Sequence, residues 1–356
     1  MMKNLILVGF LLIGNFIQAQ SNEQSLQSYS KFDFVPGDKV IFFDDFSQDN
    51  IGDFPALWYS NGSGEVVTLN NYPGKWLIIK AQGFYYPEKS LATTENFTIE
   101  FDVIPVTVNE DDRFNFQFNI VADDIKNRER DSDYPGKAGF KAGITNSGIS
   151  FYAFANSTNT GSGNKEMELD PHKKIHISCW IQKTRIRIYV DENKVADAPR
   201  IMPEGFKYNV MMFYMTNAYN ASCAITNFKV AAGLPDTRNK LLTEGKLISY
   251  GIYFDVNKDV VKPESYGTLK DIAQVLKDNP AVRIKITGHT DADGEDGSNL
   301  DLSKKRAVAV KHELVNTFGI DASRIETDGK GEAQPVAPND SPSNKALNRR
   351  VEFIKL

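Results

Sequence analysis

The chain has 356 residues, 41% hydrophobic and 24% charged, which excludes a wholly disordered polymer and is long enough for two folded domains. Lys and Arg total 41 against 46 Asp and Glu, a formal charge of -5, which argues against a general nucleic-acid binder because such proteins need a basic surplus or stripe. Two cysteines and four histidines exclude a disulfide scaffold and speak against a Cys/His zinc site.

Lys3 is followed by the apolar run Leu5-Ile6-Leu7-Val8-Gly9-Phe10-Leu11-Leu12-Ile13, and the small residue Ala19 comes soon after. A basic start, a short greasy stretch and a small residue predict a secretory signal peptide over residues 1–20. The run is shorter than the about 20 residues that span a bilayer. No cysteine stands near Ala19 to carry a lipid. An exported protein is therefore expected, soluble unless part of it forms a β-barrel.

From about Lys39 to Val230 the hydrophobic period is two. Phe97-Thr98-Ile99-Glu100-Phe101-Asp102-Val103 alternates, as do Phe114–Ile120 and Arg185–Val190. Further strands are expected at Val40–Phe43, Val66–Leu69, Trp76–Lys80, Gly139–Ile144, Ile149–Phe154 and Val210–Tyr214, separated by turn clusters that include Asn156–Asn164. Many short strands with frequent turns predict an all-β sandwich or barrel. On this pattern the outward polar positions Thr98, Glu100, Asp102, Arg185 and Arg187 suit water at least as well as a barrel lumen. Cys179 and Cys223 fall in strand segments, either bonded to each other in an oxidising compartment or buried as free thiols.

Ala232–Lys240 reads as linker, giving a boundary region of 233–245. Beyond it the pattern changes to alternating strands and helices. A strand Ser249–Phe254 is expected, then a helix from about Pro263 to Lys277 with Leu269, Ile272, Ala273 and Leu276 on one face. A strand at Arg283–Thr287 follows, then a helix from about Ser303 to Phe318, capped by Ser303 and stopped by Gly319. A short strand near Arg324–Thr327 and a last strand Arg350–Ile354 close a small α/β sandwich over residues 246–356.

This segment carries Gly288-His289-Thr290-Asp291, then Asn299, Leu302-Ser303-Lys304-Lys305-Arg306-Ala307, Gly329-Lys330-Gly331-Glu332, Pro335 and Asn348-Arg349-Arg350-Val351-Glu352. In order and spacing it resembles the OmpA-like peptidoglycan-binding domain. The resemblance implies that Asp291 holds the ammonium, and Arg306 the carboxylate, of the free amino-acid head of diaminopimelate in peptidoglycan stem peptides. The pairing is chemically apt, since a carboxylate and a bidentate guanidinium match a zwitterion. Arg306 is expected in the first turn of its helix, whose free N–H groups would add positive potential. Thr290 and Asn299 are expected to line the same cleft, Phe254 to form its rim or join the core, and Arg350 to be the site neighbour among the closing arginines. Lys345 stands where the family usually has Arg. The acidic loop Ala292–Ser298 lacks the Gly and Glu that a calcium loop needs at its sixth and twelfth positions. No metal, cofactor or nucleic acid is expected.

Phe42-Phe43-Asp44-Asp45-Phe46-Ser47, Asn96–Asp102, Ile186–Asp191 and Ile225–Val230 resemble a concanavalin/laminin-G-like jelly roll, expected over residues 30–232. The reading is of an exported, non-enzymatic envelope protein of the periplasm, associated with cell wall and outer membrane. It would bind peptidoglycan and tether a sandwich module that engages a glycan or an outer-membrane protein. Two alternatives stand: a wall-targeted carbohydrate-active enzyme, disfavoured because Glu100-Phe101-Asp102-Val103-Ile104-Pro105 lacks the second Glu of a Glu-x-Asp-x-x-Glu strand, and an outer-membrane β-barrel of the OmpA type.

Overall fold

The computed structural model describes residues 32–80, 82–106, 115–215, 222–233 and 236–356. The expected signal peptide lies outside the described residues.

The first fifteen strands are β1 (Lys39–Asp44), β2 (Trp58–Ser60), β3 (Gly64–Leu69), β4 (Tyr72–Ile79), β5 (Gly83–Pro87), β6 (Asn96–Val106), β7 (Asn115–Ala122), β8 (Ala138–Thr145), β9 (Gly148–Ala155), β10 (Thr158–Glu166), β11 (Ile175–Gln182), β12 (Arg185–Val190), β13 (Asn193–Ala198), β14 (Val210–Met215) and β15 (Ser222–Ala232). They make two antiparallel sheets. One runs β13-β12-β11-β6-β15-β4-β3 with β1 also on β15, and the other runs β10-β9-β8-β7-β14-β5-β2. The N-terminal region is thus a β-sandwich of two open sheets, and the barrel alternative is set aside.

Alternation explains the layering. Phe101 and Phe228 from one sheet meet Phe116, Phe118 and Phe213 from the other, and all are buried. The Phe213 ring lies 5.0 Å from Phe101, 5.2 Å from Phe116 and 5.5 Å from Phe228, and it stacks on Trp58 at 6.0 Å.

The two cysteines are free and buried. Cys179 on β11 pairs opposite Ile99, and Cys223 on β15 opposite Pro105, on the two flanks of β6. Six residues along a strand is about 20 Å, far beyond the reach of a disulfide. The bonded option is therefore excluded. The Asn156–Asn164 cluster, expected as a turn, mostly belongs to β10, whose Thr158–Glu166 pairs with β9.

The C-terminal region adds α1 (Thr237–Leu242), β16 (Lys246–Ser249), α2 (Tyr266–Asp278), β17 (Ile284–Gly288), α3 (Asp296–Asn316), β18 (Ile325–Gly329), α4 (Pro342–Asn348) and β19 (Val351–Lys355). Its sheet order is β16-β19-β17-β18, with β17 and β18 parallel. The apolar face of α2 and Ala307, Val310 and Leu314 of α3 cover Ile284, Ile286 and Phe353 of the sheet. This is the expected α/β architecture, with three local corrections. The segment read as linker holds α1, whose Leu241 is fully buried in the C-terminal core. The first strand ends at Ser249, because Tyr250 and Tyr253 turn to contacts on the sandwich. The helix expected from Ser303 begins at Asp296.

Residues Lys31–Leu356 form one compact unit. Thr98, Glu100 and Asp102, expected on an outward face, are 1%, 2% and 4% exposed. They lie on the outer face of β6, where cross-strand neighbours are His176, Ser178 and Lys229. The C-terminal lobe covers this face. The Tyr253 hydroxyl donates to Glu100 Oε2 at 2.6 Å and accepts from Lys229 Nζ at 2.6 Å. Lys229 also pairs with Glu100 Oε1 at 2.9 Å. His176 Nδ1 bonds Asp102 Oδ1 at 2.7 Å, and Lys174 Nζ reaches the same oxygen at 3.0 Å. Burial alone would push His176 down, but its bonds to Asp102 and Glu100 lift it to about 9. Burial alone would raise Glu100, but Lys229, His176 and Tyr253 hold it at about 2. Buried charges persist only when paired, and every one here is.

Candidate functional site

The site begins where β17 ends. Gly288 pairs with Gly329 and Val351, and a Cβ at Gly288 would fall 2.3 Å from the Ser303 carbonyl oxygen, so only glycine lets α3 pack this close. The main chain then runs on between its neighbours: the His289 N–H donates to the Arg350 carbonyl and the Thr290 N–H to the Gly331 carbonyl, both at 3.0 Å. Asp291 follows, free of the sheet and 8% exposed. Its Oδ1 accepts the Asp293 N–H at 3.2 Å and its Oδ2 accepts Arg349 Nη1–H at 2.6 Å.

Arg306 projects from α3 toward the loop after Phe254. Its Nε donates to the Lys258 carbonyl at 3.0 Å and its Nη2 to the Asp255 carbonyl at 3.2 Å, while its guanidinium carbon stands 4.8 Å from the Phe254 ring centroid. Burial brings its pKa down to about 10, with the nearby Asp291 charge opposing and Arg349 adding to the fall. Arginine keeps its proton, so the meaning is electrostatic: a cation stripped of much of its water attracts an anion strongly. Because α3 starts at Asp296, Arg306 lies ten residues in, about 15 Å from the helix N-terminus. The expected help from free N–H groups at that terminus is therefore absent at Arg306.

Asp291, Arg306, Thr290, Asn299, Phe254 and Arg350 all line one cleft of about 1090 Å³. Their parts differ. Thr290 Oγ1 is buried there without a hydrogen-bond partner. Asn299 ties the acidic loop down, donating to the carbonyls of Asp291 at 3.4 Å and Asp293 at 3.1 Å and to Glu332 Oε2 at 2.6 Å. Phe254 is half-buried, both core contact and platform for Arg306. Arg350 is committed elsewhere: its Nε and Nη2 hold Glu352 Oε1 at 2.9 and 2.8 Å. Burial alone would raise Glu352, but His289, Lys246 and Arg350 keep it at about 2.

The arginine that bonds Asp291 is Arg349, while Arg350, the expected neighbour, lines the same cleft without reaching that carboxylate. Alternation of faces applies within a strand, and β19 begins only at Val351. Lys345 pairs with Asp293 Oδ1 at 2.7 Å, so its charge is spent on the acidic loop. No group of three or more possible metal ligands occurs among the described residues.

The opposite wall comes from the sandwich and was not foreseen. Phe43, Asp45, Tyr72 and Lys229 line the same cleft. Arg349 spans the two walls, its Nη2 3.5 Å from Asp45 Oδ2 and its guanidinium carbon 5.2 Å from the Phe43 ring centroid. No sequence signal links positions so far apart.

Fold and site together define a two-lobed protein, a β-sandwich packed on an α/β lobe, with a cleft between them that sets a carboxylate near a desolvated guanidinium. Residues 253–349 match the model of the OmpA family, and this segment is an OmpA family domain. Outer membrane porin F of Pseudomonas fluorescens is 44% identical over 105 residues, 30% of this chain and 32% of that protein. The chain thus spans about a third of the curated relatives' length. The crystal structure of the peptidoglycan-associated lipoprotein from Burkholderia pseudomallei is 31% identical and is covered over its whole length, against 34% of this chain, with a TM-score of 0.29. The carbohydrate binding module CBM66 from Bacillus subtilis aligns with 49% of this chain and 95% of its own at 18% identity and a TM-score of 0.33.

Proposed function

We propose that this is an exported envelope protein, of the periplasm and the wall–outer-membrane boundary, that binds peptidoglycan non-covalently through the cleft between its lobes. Asp291 accepts the ammonium and Arg306 the carboxylate of the free head of diaminopimelate. The observation that carries the reading is that Asp291 and Arg306 line one cleft, with Arg306 half-buried and able to donate further hydrogen bonds. A zwitterionic amino-acid head fits two opposite charges held apart by protein, and backbone carbonyls at Lys258 and Asp255 keep the guanidinium oriented before any ligand arrives. The domain's OmpA family membership and the peptidoglycan-associated lipoprotein among its relatives support the ligand class. The sandwich travels with the site and engages the second partner, a glycan or an outer-membrane protein, so that the role is tethering rather than catalysis.

The test is co-sedimentation with purified sacculi. The unaltered chain pellets with them; Asp291→Ala and Arg306→Ala stay in the supernatant while keeping native circular dichroism. Pelleting of both variants at the native level would overturn the proposal.

A further inference from the structure

Asp291 has both carboxylate oxygens engaged before a ligand arrives: Oδ1 by the Asp293 N–H at 3.2 Å and Oδ2 by Arg349 Nη1 at 2.6 Å. A carboxylate can accept further hydrogen bonds, but an ammonium arriving there meets the Arg349 charge at contact distance. Arg306 lines the same cleft, so a ligand ammonium at Asp291 would enter a site that already holds two guanidinium groups. Arg349 is therefore an internal competitor for the ammonium position.

The way out for Arg349 is on the sandwich. Its Nη2 already stands 3.5 Å from Asp45 Oδ2, and its guanidinium lies near the face of Phe43. Asp45 is held in place: its Oδ1 accepts the Ser47 N–H at 3.1 Å, and two residues earlier the Phe43 main chain is gripped by Ser343 of α4 through its N–H at 3.0 Å and its carbonyl at 2.9 Å. The side chains of Arg349 and Asp45 are 32% and 21% exposed, room enough for a guanidinium to shift without unfolding anything.

We propose that Asp45 of the β-sandwich is a positioning residue of the peptidoglycan site: it receives Arg349 when an ammonium takes Asp291, so the sandwich sets the affinity of the C-terminal clamp. The inference rests on the ammonium-at-Asp291 reading above. The ion pair is conserved through binding, because Arg349 exchanges one carboxylate for another while the ligand takes its former place. The sandwich is then a working wall of the site as well as its cargo.

The test is a double-mutant cycle on the full chain, with meso-diaminopimelate as probe and calorimetry as readout. Asp45→Asn should weaken binding by up to about fivefold, the worth of a partly exposed ion pair. Asp45→Glu should restore native affinity, and in an Arg349→Gln background Asp45→Asn should change nothing. Native affinity in Asp45→Asn, or an equal loss with and without Arg349, would overturn the exchange. Asp291→Asn separates the two readings: its loss of binding beside a native Asp45→Asn sinks only the exchange, whereas native binding by Asp291→Asn overturns the ammonium site and the exchange with it.

Discussion

Ser343 and Phe43 stand 300 positions apart and share two hydrogen bonds, Ser343 Oγ accepting from the Phe43 N–H at 3.0 Å and donating to its carbonyl at 2.9 Å. β1 pairs with β15 on one side only, so its other edge has main-chain groups to satisfy. Ser343, in the first turn of α4, does so from the neighbouring lobe. The contact holds the sandwich wall of the cleft against the wall that carries Asp291.

The second lock between the lobes is Tyr253. Its hydroxyl donates to Glu100 and accepts from Lys229 in a buried setting. Tyr253→Phe keeps the ring and removes both bonds. It should cost about 1–3 kcal/mol in urea denaturation, the penalty for leaving buried polar groups short of a partner. Stability equal to the unaltered chain would show that the Glu100–Lys229 pair suffices alone.

The same network makes stability fall on the alkaline side. The folded pKa of His176 is raised to about 9, above its ordinary value of 6.5, by Asp102 and Glu100 against the opposing effect of burial. A group with a raised folded pKa stabilises fully below its unfolded value and loses that contribution as pH climbs through the folded one. Unfolding free energy should therefore drop between about pH 6.5 and 9, by a few kcal/mol at most. His176→Gln should be less stable at pH 6 and show a shallower slope over that window. An identical slope in the variant would place the pH dependence elsewhere.

Neither thiol should react in the folded chain. Burial pushes Cys179 up to about 12 and Cys223 higher still, and thiolate is the reactive form. A thiol-specific chromogenic reagent should titrate none under native conditions and two after denaturation without reductant. A count of zero in denaturant would mean a disulfide and contradict the strand registers.

Phe213 is the centre of the sandwich core, fully buried with five aromatic rings around it. Phe213→Ala should cost about 3–5 kcal/mol in denaturation. A cost under about 1 kcal/mol would require a core that refills the void, unlike close-packed protein interiors.

The strands of the sandwich were legible because their period-two alternation is strong, as in Phe97–Val103, and α2 because its apolar residues recur at helical spacing. The start of α3 was hidden. Asp296, Gly297, Ser298 and Asn299 have low helix propensity, and the helix forms there because Asn299 is clamped to Asp291, Asp293 and Glu332. The burial of the outer face of β6 was hidden for a related reason: alternation shows which side chains share a face, and says nothing about whether another lobe covers it.

Local pattern alone determined the two architectures, the glycine-lined strand end before Asp291 and the opposite charges of Asp291 and Arg306, since these depend on residue type and spacing along the chain. The tertiary structure decided which partners those groups meet: Arg349 rather than Arg350 at the acid, and a sandwich wall bearing Asp45 across the cleft. Partner choice is a matter of distance in space, and contacts that join residues 300 positions apart leave no periodic trace in the chain that makes them.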